Sequence, residues 1–320
     1  MLTRVPVPAV RPEPSDERRD HDLDLLRLLA MAIVSLQHGL TVVGHYDWTM
    51  LGSSGVSLGQ FGVALFCALS GWFALAPSSR APLSWLAARL VRLYPAYWLA
   101  TLFAFGLALA LQRPVTLGQF LSQMAGTGFF THGWNLVNVV SWFVSLIILC
   151  YGLATLARMS ADAGRTMLAF GLLAVLLLAS HAEIALSRHV IVFVAAALAG
   201  RRRRSVMLML YAGLLLPLLA FQPSFIYAVV ALPVLWLFRQ GVVSSAPVAT
   251  GLANYCYEFF LLHGLFLAAG ARLIPSAPLA ILVGIAATVP ASVLLKLAAR
   301  RLSSLVVGMV LRPVWRGGSG

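Results

Sequence analysis

The chain has 320 residues, 60% of them hydrophobic and only 10% charged, with a mean hydropathy of +0.89. A soluble domain carries about 25% charged residues, so this composition excludes a soluble globular protein and points to an all-α, polytopic integral membrane protein. The net charge of +13 does not imply nucleic acid, because the basic residues fall in short segments between apolar runs, where they fix membrane orientation.

In chain order, residues 1–21 are polar and rich in proline and charge, which predicts a disordered cytoplasmic segment without the apolar core of a cleaved signal peptide. The first span, "DLDLLRLLAMAIVSLQHGLTVV" at 22–43, has the apolar bulk of a membrane helix but carries Arg27 near its start and His38 near or just past its middle. At 100° per residue their eleven-residue spacing places both on one helix face, about 16 Å apart along the axis. Further apolar runs lie near 56–76, 95–112, 138–158, 166–180, 189–200, 205–221, 224–238, 251–271 and 278–297. Together they predict about ten transmembrane helices, of which the sixth and eighth are short enough to be tilted or re-entrant. The membrane domain is expected over 22–300. The tail at 301–320, containing "LSSLVVGMVLRPVW", is expected to form a cytoplasmic interfacial helix. With the N-terminus inside, 20 of the 23 basic residues fall on the cytoplasmic side, leaving only Arg113, Arg188 and Arg272 outside. This alternation predicts that both termini are cytoplasmic.

Ionisable groups in spans mark cavities or substrate paths, or else pair with a neighbouring helix. Arg27, His38 and His263 leave both readings open. "YCYEFFLLHG" at 255–264 adds Glu258 near the cytoplasmic third of its span, where pairing with a nearby arginine is expected. In "FGVALFCALSGWF", Ser70 and Gly71 read as a small-residue packing step rather than a nucleophile. The cytoplasmic loop "SSRAPLSWLAARLVRLYPAYW" places Arg89 and Arg92 one turn apart on an amphipathic helix. They serve either as topogenic anchors or as a phosphate clamp built from guanidinium forks. The arginine run at 201–204 reads as an anchor. Cys67, Cys150 and Cys256 all lie in apolar runs and read as buried hydrophobes, with no metal-ligand spacing.

Four of these segments, in order, resemble motifs of the membrane acyltransferase-3 family. Arg27 and His38 fit its R-x10-H pattern, "LFCALSG" at 65–71 is similar to its FFxxSG segment, and "RLVRLYPAYW" at 89–98 to its RxxR stretch followed by Tyr-Pro. "YEFFLLH" at 257–263 resembles its Tyr-x3-Leu-Leu-His signature. Trp142, Ser145 and Tyr151 match a further segment, but Ile147 and Ile148 stand where an acidic residue is common, and Leu65 replaces the first Phe of FFxxSG. Without a fused hydrolase-like domain, the chain resembles the stand-alone branch.

The resemblance implies an acetyl-CoA-dependent O-acyltransferase of a bacterial-type cytoplasmic membrane. Its donor would be a cytoplasmic acyl-CoA rather than a permanently bound cofactor, and its acceptor a hydroxyl of an exopolysaccharide, O-antigen or lipid-linked sugar. On that basis Arg89 and Arg92 hold the donor phosphates, Arg27 orients the donor, and Ser70, Tyr257 and Trp142 contact substrate. His38 is assigned as general base, since a sugar hydroxyl needs one within hydrogen-bond reach, with an acyl-histidine intermediate as the competing version. His263 assists acceptor positioning or the developing oxyanion. A proton-coupled transporter or flippase of a sugar derivative is the alternative, although the sequence shows no internal repeat and no paired broken helices.

Overall fold

The computed structural model describes residues 21–202, 204–240 and 247–310. Among these residues the chain forms thirteen α-helices and no strand, apart from an isolated bridge between Met50 and Ser57. The helices are α1 (His21–Val42), α2 (Leu58–Ala74), α3 (Pro82–Ala110), α4 (Leu117–Met124), α5 (Gly128–His132), α6 (Trp142–Met159), α7 (Ala163–Ala179), α8 (Ser187–Arg201), α9 (Val206–Leu215), α10 (Ile226–Arg239), α11 (Pro247–Ala253), α12 (Cys256–Leu273) and α13 (Ala277–Val310).

Each of the predicted apolar runs overlaps one of the longer helices. Five of the segments, namely α1, α3, residues 139–159 around α6, α12, and residues 277–304 of α13, are long and apolar enough to cross a membrane. The shorter apolar helices have 10–17 residues, about 15–26 Å at 1.5 Å per residue, which is less than a 30 Å hydrocarbon core. Length and composition alone thus mark five candidate crossings among the described residues. The segment at 301–310 continues α13 without a break, while 1–20 and 311–320 lie outside the described residues, as does Arg203 of the basic run.

One boundary differs from expectation. The predicted loop carrying Arg89 and Arg92 and the span beginning at 95 are a single helix of 29 residues, α3, with Pro82 in its first turn and Pro95 inside it. Proline at the first turn replaces an amide that has no helical acceptor, whereas Pro95 removes the bond to the Val91 carbonyl without ending the helix. The two arginines thus sit on the same rigid element as the membrane segment.

The basic termini of the helices converge. Arg158 at the end of α6 donates to the Ala74 and Ala76 carbonyls at 2.8 and 2.9 Å, and its guanidinium lies 4.8 Å over Trp85 of α3. Arg201 of α8 pairs with Asp162 before α7 at 3.2 Å, and Arg239 of α10 lies 5.2 Å over Trp72 of α2. Lys296 of α13 bonds the Asn254 carbonyl and lies 4.6 Å over Tyr255, just before α12. These contacts define one basic end of the bundle.

The packing is inside-out relative to a soluble protein. Leucines such as Leu102, Leu172, Leu214, Leu282 and Leu294 face outward, while Thr101, Gln123, Ser145, His189, His263 and Thr288 are buried. A hydrocarbon solvent rewards that arrangement and requires each inward polar group to find a partner. Thr288 and Ser292 do so within α13, each donating to the carbonyl four residues earlier at 2.7 Å. Helices α2 and α8 touch backbone to backbone: a Cβ at Gly71 would collide with the Phe193 carbonyl, and one at Gly200 with the Trp72 carbonyl. The packing step expected at Ser70 and Gly71 is therefore a close helix crossing.

Candidate active site

At the basic end, side chains from α1, α2, α3, α6, α12 and α13 enclose a cavity of about 510 Å³. Arg27, Ser70, Arg89, Arg92 and Tyr257 line it, although they come from four helices far apart in sequence. Lys296 and Arg300 of α13 line it too. Five cations therefore face one space, with Asp24 and Glu258 as the acidic groups in its wall. A concave site of this charge and size suits a phosphate-bearing ligand, since guanidinium groups bind phosphate oxygens in pairs.

The cations are held in place by their surroundings. Arg27 forms an ion pair with buried Asp24, one helical turn earlier. The Arg89 guanidinium lies 5.2 Å from the Trp85 ring centre and 5.8 Å from that of Tyr151, so cation–π contact orients it while its charge stays toward the cavity. Tyr257 donates to the Leu93 carbonyl at 3.0 Å, tying α12 to α3 between the two arginine-bearing turns and Pro95. The ion pair expected for Glu258 is not formed among the described residues, and its Oε2 is buried without a hydrogen-bond partner. Its neighbours Lys296, Arg92 and Arg300 supply the positive field instead. Ile147, at the position flanked by the Trp-Ser-Leu resemblance, also lines the cavity, so no carboxylate enters from α6 there.

The deep wall of the cavity is aromatic. Phe66, Phe143 and Phe260 line it and pack together, with ring centres 6.0, 6.3 and 4.9 Å apart. Beyond them, Phe260 lies 5.6 Å from the His263 ring. His38 does not line the cavity but meets His263, its Nδ1 2.7 Å from His263 Nε2, with the two ring planes within 4° of each other.

The hydrogen bonds fix the tautomers of this pair. His263 Nδ1 lies 2.7 Å from the Phe260 carbonyl oxygen, and a carbonyl only accepts, so Nδ1 carries the proton. His263 Nε2 then holds a lone pair and accepts from His38 Nδ1–H. The remaining lone pair of His38 sits on Nε2. The half-buried His38 thus presents a basic nitrogen, oriented by a fully buried partner that is itself anchored to backbone. A base whose opposite nitrogen is held by a second group is the arrangement used to activate hydroxyl nucleophiles.

Trp142 is not part of the cavity: its ring packs 5.7 Å from His189 of α8. Sequence reasoning missed the cavity roles of Lys296 and Arg300, which counted only toward orientation, and Asp24, although the Asp24–Arg27 spacing of one turn is a recognisable ion-pair signal.

In comparisons with known proteins, a family model described as an acyltransferase domain matches residues 20–297. No curated protein matches the chain. No solved structure matches it.

Proposed function

The chain belongs to the acyltransferase-3 family, a family of membrane acyltransferases, and on that premise we propose that it transfers an acetyl or similar short acyl group from acyl-CoA to a carbohydrate hydroxyl. The acceptor class is an exopolysaccharide, O-antigen or lipid-linked sugar. The chain acts in a bacterial-type cytoplasmic membrane, crossing it about ten times with both termini inside, as the distribution of basic residues suggests. The transporter alternative is not favoured by the family.

The observation that carries the reading is the His38–His263–Phe260 hydrogen-bonded series lying one aromatic layer beyond a basic cavity. In the proposed mechanism, Arg27, Arg89, Arg92, Lys296 and Arg300 hold the donor phosphates at the cavity mouth. The pantetheine arm carries the acyl thioester inward past Phe66, Phe143 and Phe260. His38 Nε2 removes the acceptor hydroxyl proton as the oxygen attacks the thioester carbonyl. The tetrahedral intermediate expels the CoA thiolate, which takes that proton back from His38. Through Nδ1–H, the imidazolium formed on the way donates to His263, so its charge is stabilised without rotation of the ring. In this scheme His263 orients the base rather than contacting the oxyanion.

Purified protein in nanodiscs, incubated with labelled acetyl-CoA and a glycan acceptor, tests the reading. Acceptor-dependent label transfer that His38→Ala abolishes is expected. Uptake of a sugar without covalent change, or full transfer by His38→Ala, overturns it.

A further inference from the structure

A second polar node lies buried away from the basic cavity. Arg188 of α8 is 9% exposed and His189 fully buried. Arg188 Nη2 donates to Gln60 Oε1 of α2 at 3.0 Å, and His189 Nε2 lies 2.8 Å from the same oxygen. An amide oxygen accepts only, so His189 Nε2 carries a proton and Nδ1 a lone pair. The Arg188 guanidinium lies 5.3 Å over Tyr227, whose hydroxyl accepts from the Ser57 amide at 2.8 Å.

This node is under-satisfied. Arg188 Nε and His189 Nδ1 are both buried with no hydrogen-bond partner. Among the described residues no carboxylate comes within ion-pair distance of Arg188. Glu183, five residues earlier, spends its oxygens on the Leu186 and Ser187 amides and the Ser187 hydroxyl. A desolvated guanidinium costs several kcal/mol unless an anion compensates it, so an unpaired one fits a ligand-binding role.

Position and surroundings indicate which ligand. Thirteen residues of α8 separate Arg188 from Arg201 at the basic end, about 20 Å, and ten residues of α2 separate Gln60 from Ser70 in the cavity wall, about 15 Å. Half-exposed Trp134 packs 5.4 Å from buried Trp142, which packs 5.7 Å from His189. A half-exposed tryptophan leading through a buried one to a cation, an amide and an imidazole matches a sugar ring bearing an acidic group. We infer that Arg188, Gln60 and His189 form an anion subsite that recognises a carboxylate or phosphate on the acyl acceptor, at the end of the bundle opposite the donor cavity.

The inference rests on the acyl-transfer reading only for the identity of the ligand as acceptor, so binding is measured without donor. Calorimetry on the full chain in nanodiscs compares methyl glucuronide, glucose 1-phosphate and methyl glucoside. The same titrations are repeated with Arg89→Met/Arg92→Met, which removes two cations from the cavity and leaves the node intact. At least one acidic probe is expected to bind ten-fold or more tighter than the neutral glucoside in both proteins, and the better one names the group. Arg188→Met is expected to erase that preference and Arg188→Lys, which keeps the charge, to retain part of it. Equal binding of the three probes, no binding of any, or an intact preference in Arg188→Met overturns the inference. None of these results touches acyl release from the donor, and loss of acyl transfer with preserved probe preference counts against the proposed reaction alone.

Discussion

Replacing His263 by Leu removes the acceptor for His38 Nδ1–H and leaves the His38 ring free to turn or to exchange its proton between nitrogens. In the intact protein the 2.7 Å contact between the rings selects the tautomer, and in the proposed reaction it would stabilise the imidazolium formed during proton transfer. A hydrogen bond to a charged group is worth about 1.5–3 kcal/mol, which corresponds to roughly a 10- to 150-fold fall in kcat. KM for acyl-CoA should be unchanged, because the cations proposed to hold the donor lie on the cavity side of the phenylalanine layer. Loss of the base itself in His38→Ala should cost about 10²- to 10⁴-fold. The decisive measurement is the double variant. If His263 acts only through His38, then His38→Ala/His263→Leu is no slower than His38→Ala alone. Multiplying rate losses, or a His263→Leu enzyme with normal kcat, would refute the relay.

The other predictions concern separate parts of the molecule. Lys296→Met and Arg300→Met should each raise KM for acyl-CoA about ten-fold or more while leaving kcat within a few-fold, since each removes a charge-assisted contact to phosphate; steady-state kinetics over donor concentration distinguish this from a purely orienting role. Phe143→Ala opens the layer between the cavity and His38, so CoA release without acceptor should rise relative to transfer, as measured by thiol detection with and without glycan. Gly71→Ala forces a methyl against the Phe193 carbonyl; overpacking of this kind typically costs about 1–3 kcal/mol, read as a lowered melting temperature in detergent with the donor KM little changed in the protein that remains folded.

The sequence made the helix positions legible because apolar runs and their punctuation follow directly from the cost of exposing backbone to lipid. Arg27, Arg89 and Arg92 were legible as one group through ordered motifs, and the structure brings all three to the same cavity. Lys296 and Arg300 were not, because orientation counting treats every cytoplasmic cation alike and nothing local shows that α13 folds back against α1 and α3. The pairing of His38 with His263 is likewise a contact across 225 residues, visible from the sequence only as two polar misfits. Trp142, linked to substrate by resemblance, faces His189; its neighbours Gln60 and Arg188 carried no motif. Pro95 misled the boundary at α3 because a membrane helix tolerates proline where other groups satisfy the freed carbonyl.

The contacts of Gly71 and Gly200 have a mechanical consequence. Where two backbones meet with no side chain between them, there is no soft layer to shear, so α2 and α8 behave as a single strut. That strut carries Ser70 in the wall of the basic cavity and Gln60 with Arg188 at its far end. The spacing between the two ends is fixed by covalent geometry rather than by the state of the substrate. Rearrangement is left to helices bound to the strut through side chains, such as α7 and α10, and in the proposed reaction a flexible pantetheine arm would span the distance that the protein does not close.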